Sequence, residues 1–473
     1  MKLEHIKEPR LVFANGEHIC PRRGIDAYGV FDKTSPVRRT SIHVGAVGSA
    51  HCLEALAAWL DRCKNVIESP EEKRHPNLFP SFCGFNADSG FAAAFVHSQE
   101  LVRQFKTSEV EELLAIPAHQ ERVAAAVDFY YEQIKFLAQN RLVDVIVCVV
   151  PDKLHEKIAY EKPSGEDETI EASTDVAGSE INFRRALKAK AMHLGKPLQL
   201  IRAASLASNK KGFQDDATKA WNFCTALYYK AGATNPWKLA SDKSRPASCA
   251  VGIAFYRSLD RQILDTSLAQ IFDELGNGLI LRGTPVDVDK DNLVPHLNAD
   301  QAHQILAAAL NEYRVAMRTV PARIVVHKSS NFSPAEIEGF DRAGKEMRVD
   351  AVDLVTVMDS RLRLFREGAY PPYRGTMIQV EPKRHILYTR GSVHYYRTYP
   401  GLYVPQPIEL RIVRSDESPA FIAREVLGLT KMNWNNTQFD GKYPVTLGCA
   451  RKVGEVMKYL ENDRPQIRYG FYM

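Results

Sequence analysis

The sequence predicts an α/β protein with two halves, each organised around its own β-sheet. Two observations predict this class. Over residues 39–231, strand-like and helix-like runs alternate, which favours a parallel, doubly wound sheet. Beyond residue 239, several strand-like runs come first and helices alternate with strands only later, which indicates a mixed sheet. Lysine, serine and proline cluster between the two patterns, so we place one domain at 1–238 and a second at 239–473.

The first half begins its regular pattern with a strand, RTSIHVGAVG at 39–48, and an amphipathic helix at 50–67 whose apolar residues form one stripe. The apolar run VDVIVCVV at 143–150 has the composition of a strand covered on both faces. The remaining predicted elements are helices at 117–140, 181–194 and 215–231, a strand at 197–203, and an acidic loop at 152–180. This order is typical of a Rossmann-like domain.

The second half starts with a strand-like run, ASCAVGIAFYRS at 247–258, which continues into an alternating meander. The strand RIVVH at 323–327 is followed by helix-start chemistry at Ser333 and Pro334. The other predicted elements are helices at 299–319, 334–345, 418–433 and 444–461 and strands at 349–358, 385–390 and 406–414. A meander followed by helix, strand, helix and strand is the order of RNase H-like domains.

The composition is that of a soluble globular protein without a membrane segment. Of the 473 residues, 45% are apolar and 25% are charged, and no apolar run reaches the ~18 residues that a transmembrane helix needs. The start, MKLEHIKEPR, lacks the apolar stretch of a signal peptide. The eight cysteines form no CxxC pair, which disfavours zinc and disulfides. We therefore expect a cytoplasmic protein with reduced thiols.

Charge is distributed unevenly along the chain. Residues 156–180 carry eight acidic residues and two lysines, whereas residues 184–238 carry eleven arginines and lysines against two acids, a net charge of +9. Residues 361–414 have a net charge of +7. Two basic zones in one chain favour a polyanionic ligand, and solvated surface charge is the alternative that the pattern leaves open.

Four stretches, in this order, resemble the Argonaute family, and specifically the short prokaryotic Argonautes that consist of a MID and a PIWI domain. The stretches are FRRALKAKAMHLGKPLQLI, ALYYKAGATNPW, the pair VGIAFYRS and RIVVHKSSNFSPAEIEGF, and LTKMNWNN with YPVTLGCARKVG and the end RYGFYM. The resemblance covers residues 180–473 well and 10–180 loosely. It implies that the first half is a MID domain and the second an RNase H-like PIWI domain.

In that family the MID domain binds the 5′ phosphate of a guide strand. A terminal phosphate carries close to two negative charges, so its pocket needs several cations. Arg184 and Lys188 are spaced i,i+4 and share one helix face. The resemblance implies phosphate contacts from Arg184, Lys188, Gln199, Lys211 and Lys230, with Arg185 and Lys210 as alternatives. Arg184 stands where the family often has a tyrosine that stacks on the first base.

The chain ends in the aromatic and apolar run RYGFYM, which is typical of a buried segment. The resemblance implies that the terminal carboxylate of Met473 enters the phosphate pocket. Two anions that face each other repel unless a cation bridges them. We therefore expect Mg²⁺ as the cofactor at the guide phosphate, with the Met473 carboxylate and Gln199 as its ligands. Packing for stability alone is the alternative role of Met473.

The metal-binding positions of nuclease-active Argonautes are replaced in this chain, by Ala254, Lys328 and Arg451. A lysine about 4 Å from a divalent ion, at an effective dielectric constant near 20, costs roughly 8 kcal/mol of repulsion. We therefore predict that the chain is not an enzyme and does not cleave its target. The cations expected to contact the nucleic-acid backbone instead are Lys328, Arg374, Lys383, Arg384, Arg390 and Arg451, with further candidates at Arg361, Arg363, Arg366 and Arg397.

The resemblance also implies partners. Short Argonautes use a guide RNA against single-stranded target DNA, and they act with a second protein that carries an APAZ region and an effector domain. The effector is often an NAD-consuming domain, for which we favour the sirtuin type over the Toll/interleukin-receptor type. The expected assembly is a heterodimer, with a larger assembly on activation left open, and its expected role is NAD depletion in defence against plasmids or phage.

Two other functions are considered. The first is an active RNase H-like nuclease that uses metal-binding carboxylates elsewhere, such as Asp260, Asp265 or Asp359. The second is a dinucleotide-binding enzyme, suggested by GAVGSAH at 45–51, although this segment lacks GxGxxG spacing. Cleavage assays with Mg²⁺ or Mn²⁺ separate the first from a binding function. We interpret His43 and His51 as structural.

Overall fold

The structure is a computed structural model. It describes residues 2–70, 75, 77–159, 181–207, 214–232, 235–240, 245, 247–260, 263–272, 278–286, 294–367, 371–401, 404–460 and 465–473. The strands of the first half are β1 (Lys2–His5), β2 (Leu11–Val12), β3 (Glu17–His18), β4 (Ser41–Ser49), β5 (Ala94–Val96), β6 (Val102–Phe105), β7 (Val145–Val150), β8 (Leu198–Arg202) and β9 (Lys238–Leu239). Its helices are α1 (Pro21–Tyr28), α2 (Ala50–Cys63), α3 (Thr107–Ala115), α4 (His119–Asn140), α5 (Asp152–Ile158), α6 (Phe183–Ala191), α7 (Ala203–Leu206) and α8 (Asp216–Lys230).

A parallel sheet forms the centre of the first half, as the alternating pattern predicts. Its strand order is β5, β4, β7 and β8, and β6 also pairs with β4. Helix α2 covers one face with Leu56 and Trp59, and α4 covers the other with Tyr130 and Ile134. Every residue of β7 is buried, because both of its faces are covered, and this explains its continuous apolar sequence.

The glycine-rich segment after residue 44 is part of a strand. Gly45 and Gly48 both lie inside β4, and α2 begins directly after that strand. A Cβ atom at Gly45 would lie 3.1 Å from the side chain of Val143, so this glycine permits close packing. The phosphate-loop interpretation of GAVGSAH is therefore wrong. His43 has a structural contact, since its Nδ1 lies 3.3 Å from the Asp144 carboxylate.

The N-terminal residues pack outside the parallel sheet. β1 pairs antiparallel with a strand of the second half, Thr376–Glu381, and β2 pairs with both β3 and β9 in a small three-stranded sheet. Glu8 lies between these two strands and forms ion pairs with Arg374 at 2.9 Å and Lys431 at 3.0 Å. Although burial of the Glu8 carboxyl acts to raise its pKa, these two cations hold the pKa below its usual value. This segment is thereby fixed to the second half.

The second half contains the strands β10 (Ser248–Arg257), β11 (Leu264–Phe272), β12 (Gly278–Arg282), β13 (Arg323–Lys328), β14 (Ala351–Asp359), β15 (Thr376–Glu381), β16 (Arg384–Leu387) and β17 (Ile408–Arg414). Its helices are α9 (Ala299–Met317), α10 (Pro334–Glu346), α11 (Pro419–Leu429) and α12 (Val445–Met457). Helix α10 begins with a capping box in which Ser333 and Glu336 each accept the other's backbone N–H, as the sequence predicts.

These strands and β1 form one mixed sheet in the order β1, β15, β16, β17, β14, β13, β10, β11, β12. β10, β11 and β12 form the antiparallel meander, while β10, β13 and β14 are parallel. Helices α9 and α10 pack on one face, and α11 and α12 lie against the other. The predicted order of a meander and then alternating helices and strands is confirmed.

The two halves share a buried core. Trp221 of α8, Trp237 and Trp434 are fully buried in the same hydrophobic cluster. The Trp434 indole donates to the main-chain oxygen of Trp237 at 3.2 Å, and the Trp237 indole donates to that of Lys431 at 3.0 Å. In the part of the chain that the structure describes, no helix is both long enough and apolar enough to cross a bilayer.

Candidate nucleic-acid interface

Two buried lysines meet the last residue of the chain at the junction of the halves. Lys188 lies on the buried face of α6, and Lys230 is the last residue of α8. The Lys188 ammonium donates to a terminal carboxylate oxygen of Met473, and Lys230 donates to the same oxygen at 3.1 Å. Lys230 also donates to Gln199 Oε1 on β8 at 2.7 Å. We call Lys188, Gln199, Lys230 and Met473 the socket.

Local sequence chemistry positions the two helices that carry the lysines. The Asn182 side chain accepts the N–H of Arg185 at the start of α6, and the Asp215 side chain accepts that of Thr218 at the start of α8. Such caps satisfy the first free N–H groups of a helix. The end of the chain packs against α8, with Met473 buried and Gly470 close to the Lys230 backbone. The expectation of a buried chain end is met.

The electrostatics of the socket favour an anion. Lys230 is 2% exposed and Lys188 is 6% exposed, and a buried ammonium is costly unless oxygen acceptors surround it. Burial lowers the pKa of Lys230 well below its usual value, and the nearby charges of Arg184 and Lys452 lower it further. A bound anion would act in the opposite direction on the Lys230 pKa, because it stabilises the charged form.

Three further cations lie near the socket, of which Arg184 and Arg468 are exposed and Lys452 is half-buried. The guanidinium of Arg184 is exposed, with one nitrogen 3.5 Å from the main-chain oxygen of Leu200. Lys452 comes from α12, and the guanidinium of Arg468 lies 3.3 Å from where a Cβ of Gly232 would be. We call Arg184, Lys452 and Arg468 the rim. Sequence reasoning missed Lys452 and Arg468, although both lie within stretches that carry the Argonaute resemblance.

Of the predicted phosphate contacts, the structure brings Arg184, Lys188, Gln199, Lys230 and Met473 together. Lys211, together with its alternative Lys210, lies outside the described residues. The other alternative, Arg185, points away into an ion pair with Glu455 at 2.6 Å. Both halves contribute to this arrangement, because Lys452 and Met473 belong to the second half and the other residues to the first.

The oxygens predicted to bind Mg²⁺ already have ammonium partners. Met473 O accepts from Lys188 and Lys230, and Gln199 Oε1 accepts from Lys230. Mg²⁺ requires near-octahedral oxygen coordination and would lie beside two like charges here. No group of three His, Cys, Asp or Glu side chains suited to a metal occurs among the described residues. The donor set does not suit Mg²⁺.

The replaced nuclease positions lie on two different faces of the sheet. Ala254 is buried against Ala450 of α12, whereas the Lys328 ammonium lies 5.3 Å from the Phe255 ring on the face covered by α9 and α10. Side chains alternate between faces along a strand, and the register pairs Ile253 with Lys328. Lys328 therefore shares its face of the sheet with Ile253, and Ser329 is the first residue after β13. The assignment of Lys328 as a replaced metal ligand beside Ala254 is wrong, because the two side chains lie on opposite faces.

Lys328 is held inside the protein. Its Nζ lies 2.6 Å from Glu336 Oε1, 3.1 Å from the main-chain oxygen of Asn331 and 3.3 Å from His296 Nδ1. Lys328 and Glu336 are each 0% exposed. Burial lowers the pKa of Lys328, and the Glu336 carboxylate opposes that change. The expected contact of Lys328 with a nucleic-acid phosphate does not fit this geometry, because its charge is already paired.

The carboxylates of the nuclease alternative do not converge within the described residues. Asp265 pairs with Arg282 at 3.2 Å, and Asp260 accepts the Ser258 hydroxyl in the turn after β10. Asp359 ends β14 on the α12 side, where it accepts from Tyr443 and pairs with Lys442 at 2.9 Å. Although burial acts to raise the pKa of Asp359, the Tyr443 and Lys442 hydrogen bonds lower it.

The predicted backbone cations differ in exposure. Arg374 is 3% exposed and donates to the main-chain oxygens of Thr389 and Leu427, so its role is structural and the predicted phosphate contact is wrong. Lys383 is exposed, and Arg384 pairs with Glu409 at 3.0 Å. Arg390 is half-buried. Arg451 lies over the Tyr443 ring at 4.3 Å, beside Asp359, and faces the edge at which β14 ends.

Comparison with known proteins shows which solved structures have a similar fold. No protein-family model and no curated protein matches the sequence. Among solved structures, the chain is similar to Clostridium butyricum Argonaute bound to a guide DNA with a 5′ deoxycytidine and a 19-mer target DNA, with a TM-score of 0.67 and 14% identity over 97% of this chain and 53% of that one.

Two further solved structures are also similar to this chain. Drosophila Piwi matches with a TM-score of 0.61 and 15% identity over 100% of this chain and 56% of that chain. Aa-Ago with externally bound siRNA matches with a TM-score of 0.60 and 14% identity over 99% and 56%. The chain thus spans about half the length of each solved protein. The parallel sheet and the RNase H-like sheet together give this chain the fold of the Argonaute and Piwi proteins.

Proposed function

We propose that this chain binds the 5′-phosphorylated end of a guide strand in the socket and presents that strand for pairing with a target, which it does not cleave. The observation that carries the proposal is the convergence of Lys188, Lys230 and the rim cations at the junction of an Argonaute-like fold. A phosphate with close to two negative charges suits two buried ammoniums and an exposed guanidinium.

Absence of cleavage is the second part of the proposal. Two-metal hydrolysis requires carboxylates that hold two ions about 3.5–4 Å apart. The face of β10 and β13 that contacts α12 presents Ala254 and Ser329 at neighbouring positions, and Asp359 is already paired with Lys442. The protein therefore holds the paired strands by their backbone, while base pairing supplies the sequence specificity.

The finer role follows from the Argonaute resemblance. We propose that the guide is RNA and the target single-stranded DNA, and that the chain is the cytoplasmic sensor of a defence complex against plasmids or phage. Its partner would carry an APAZ region and an NAD-consuming effector, of the sirtuin type before the Toll/interleukin-receptor type. Purification from the host tests this role directly. We expect short 5′-phosphorylated RNAs to co-purify with the chain. We also expect one partner protein that consumes NAD⁺ only when guide and target are both present. Absence of the RNAs or of the partner would contradict this role.

The binding site is tested with purified protein. Fluorescence anisotropy compares 3′-labelled oligonucleotides that carry a 5′ phosphate or a 5′ hydroxyl. Arg184→Glu and Lys452→Glu should each lower the affinity for the 5′-phosphorylated strand about tenfold or more, while the affinity for the 5′-hydroxyl strand changes less. Arg314→Glu, an equally exposed arginine on α9, is the matched control. Equal affinity of the wild type for the two strands would refute the socket, and metal-dependent target cutting by the wild type would refute the absence of cleavage.

A further inference from the structure

Three stacked side chains form a column on the surface of the second half, beyond the socket. The Arg366 guanidinium lies 3.8 Å above the Tyr373 ring. The Tyr373 ring also stacks on the His394 ring, with centroids 4.0 Å apart and an interplanar angle of 20°, and His5 lies edge-on to both rings. His394 is exposed and Arg366 and Tyr373 are half-buried, so the column is partly open to solvent. We call these three residues the column.

The surroundings of the column are basic and aromatic. Arg361 and Arg363 are exposed on the same segment as Arg366, and Arg397 is exposed in the tight turn that begins at His394. Phe365 is 79% exposed between these arginines. Glu367 is an exposed acid at the end of the segment.

The position of the column relates it to the socket. Lys452 of α12 is close enough to Lys230 to lower its pKa, and its neighbour Arg451 faces Asp359 at the end of β14. The chain continues from Asp359 through Ser360, whose main-chain oxygen accepts from Arg363, to Arg366. The segment that leaves the end of β14 thus leads to the column, and Arg451, next to Lys452 in the chain, lies beside that strand end.

We propose that the column is a stacking site for one base of a single-stranded nucleic acid, at a point where the strand has crossed from the socket over the edge of the second sheet. This inference rests on the proposed function and extends it to a second, separate contact. Planar cationic and aromatic side chains beside exposed arginines match the chemistry of sites that bind single strands by base stacking and phosphate neutralisation.

The test separates stacking from charge. Wild-type protein is titrated with a 5′-hydroxyl oligodeoxyadenylate and with an abasic strand of the same length and charge. We expect the adenylate to bind about fivefold or more tightly than the abasic strand. The column variant R366A/H394A should lose this difference. The control variant R361A/R363A also removes positive charge from this surface. It should lower the affinity for both strands and retain the preference for adenylate over the abasic strand.

Further variants distinguish loss of stacking from misfolding of R366A/H394A. Tyr373→Phe keeps the ring and should behave as the wild type, whereas Tyr373→Leu should behave as R366A/H394A. A fluorescent adenine analogue moved along a 5′-phosphorylated strand should be quenched at one position, and only in proteins with an intact column. Equal binding of adenylate and abasic strands by the wild type, or equal loss of both in R366A/H394A, would overturn the inference.

The proposals for the socket and for the column can be refuted independently of each other. Arg184→Glu should abolish the preference for a 5′ phosphate and leave the preference for adenylate over the abasic strand unchanged. If the wild type shows no preference for a 5′ phosphate but still prefers adenylate, the proposed function is wrong and the column remains. If it prefers the phosphate but not adenylate, the column is wrong and the socket remains.

Discussion

The socket and the edge of the RNase H-like sheet each bury a lysine, and the two lysines differ in what stabilises their charge. Lys230 donates to the main-chain oxygen of Leu198, to the Gln199 amide oxygen and to a terminal carboxylate oxygen of Met473, and burial, Arg184 and Lys452 all lower its pKa. Lys328 is just as buried, but the Glu336 carboxylate lies 2.6 Å away and opposes the effect of burial on its pKa. The socket holds two ammoniums and nearby cations around one terminal carboxylate, so it gains from a further anion, whereas Glu336 already balances the charge of Lys328.

The comparison teaches that a buried lysine near a strand end is not thereby a phosphate ligand, because a carboxylate packed beside it can already balance its charge. In the second half, Lys328 and Glu336 join β13 to the start of α10, where Glu336 also accepts the main-chain N–H of Ser333 and of Leu297. That pair stabilises a loop and a helix start. Five measurements test these assignments of the two lysines and of the sheet face that could hold a metal.

The largest effect is expected at the paired lysine. Lys328→Asp leaves Glu336 buried without its cation and places a second acid beside it, so the free energy of unfolding should fall by about 3–5 kcal/mol. Urea unfolding followed by circular dichroism measures this loss. The double variant K328M/E336Q removes both charges and should remain close to the wild type. Wild-type stability of Lys328→Asp would show that the pair does not hold this region together.

The socket lysine Lys230 should respond in the opposite way. Lys230→Met keeps the length of the side chain and removes a buried charge, so stability should not fall. Affinity for a 5′-phosphorylated strand should drop about tenfold or more, since a hydrogen bond to a charged group contributes about 1.5–3 kcal/mol. Anisotropy titration measures the drop, and Lys135→Met, on the exposed face of α4, is the control. Unchanged phosphate binding would place the anion elsewhere.

The third experiment tests which face of the sheet can hold a metal. A254D/S329D places two carboxylates at neighbouring positions on the α12 face, whereas A254D/K328D places them on opposite faces. The first variant should bind Mn²⁺ at least about tenfold more tightly than the second in calorimetric titrations. The reverse order would restore Lys328 as the position that corresponds to the metal ligand.

The smallest effect is expected from pH. Lys230 has a depressed pKa in the free protein, and a bound phosphate raises it, so binding takes up a proton. Phosphate affinity should therefore fall as the pH rises through the depressed pKa, by at most about one decade per pH unit. Lys230→Met should flatten this dependence.

The stability of the free protein should change with pH in the opposite sense. The unfolded state binds more protons than the folded state between the depressed pKa and the ordinary value of 10.5. The contribution of Lys230 to stability therefore rises with pH in that window, and unfolding midpoints without ligand measure it. A contribution that falls with rising pH would contradict a depressed pKa.

Much of the fold could be predicted from sequence because its long elements have strong periodicity. The predicted strand at 143–150 and helix at 215–231 match β7 and α8 within two residues at each end. Sequence reasoning missed the short elements α3 and α5 and the strand β15. These are short or lie on partly exposed edges, where few apolar residues mark the period. The first strand was missed because its partner lies more than 370 residues further along the chain.

Some residues of the candidate site could likewise be predicted from sequence, and others could not. Lys188, Gln199 and Lys230 were found because each lies in a recognisable stretch, and helix spacing places Arg184 beside Lys188. Arg374 was misassigned because its acid, Glu8, is 366 residues away in sequence. Lys328 was misassigned because a shift of one residue in a strand moves a side chain to the other face.

By itself, the sequence determined the order of elements, the division into a parallel and a mixed sheet, and the residues that carry positive charge, because periodicity and charge are local properties. Only the tertiary structure decided which of those charges stay unneutralised. The energy of a buried cation depends on the oxygens and carboxylates packed around it, and these come from distant parts of the chain. The same physics gives Lys328 its carboxylate partner and leaves Lys230 in an environment that favours an added anion.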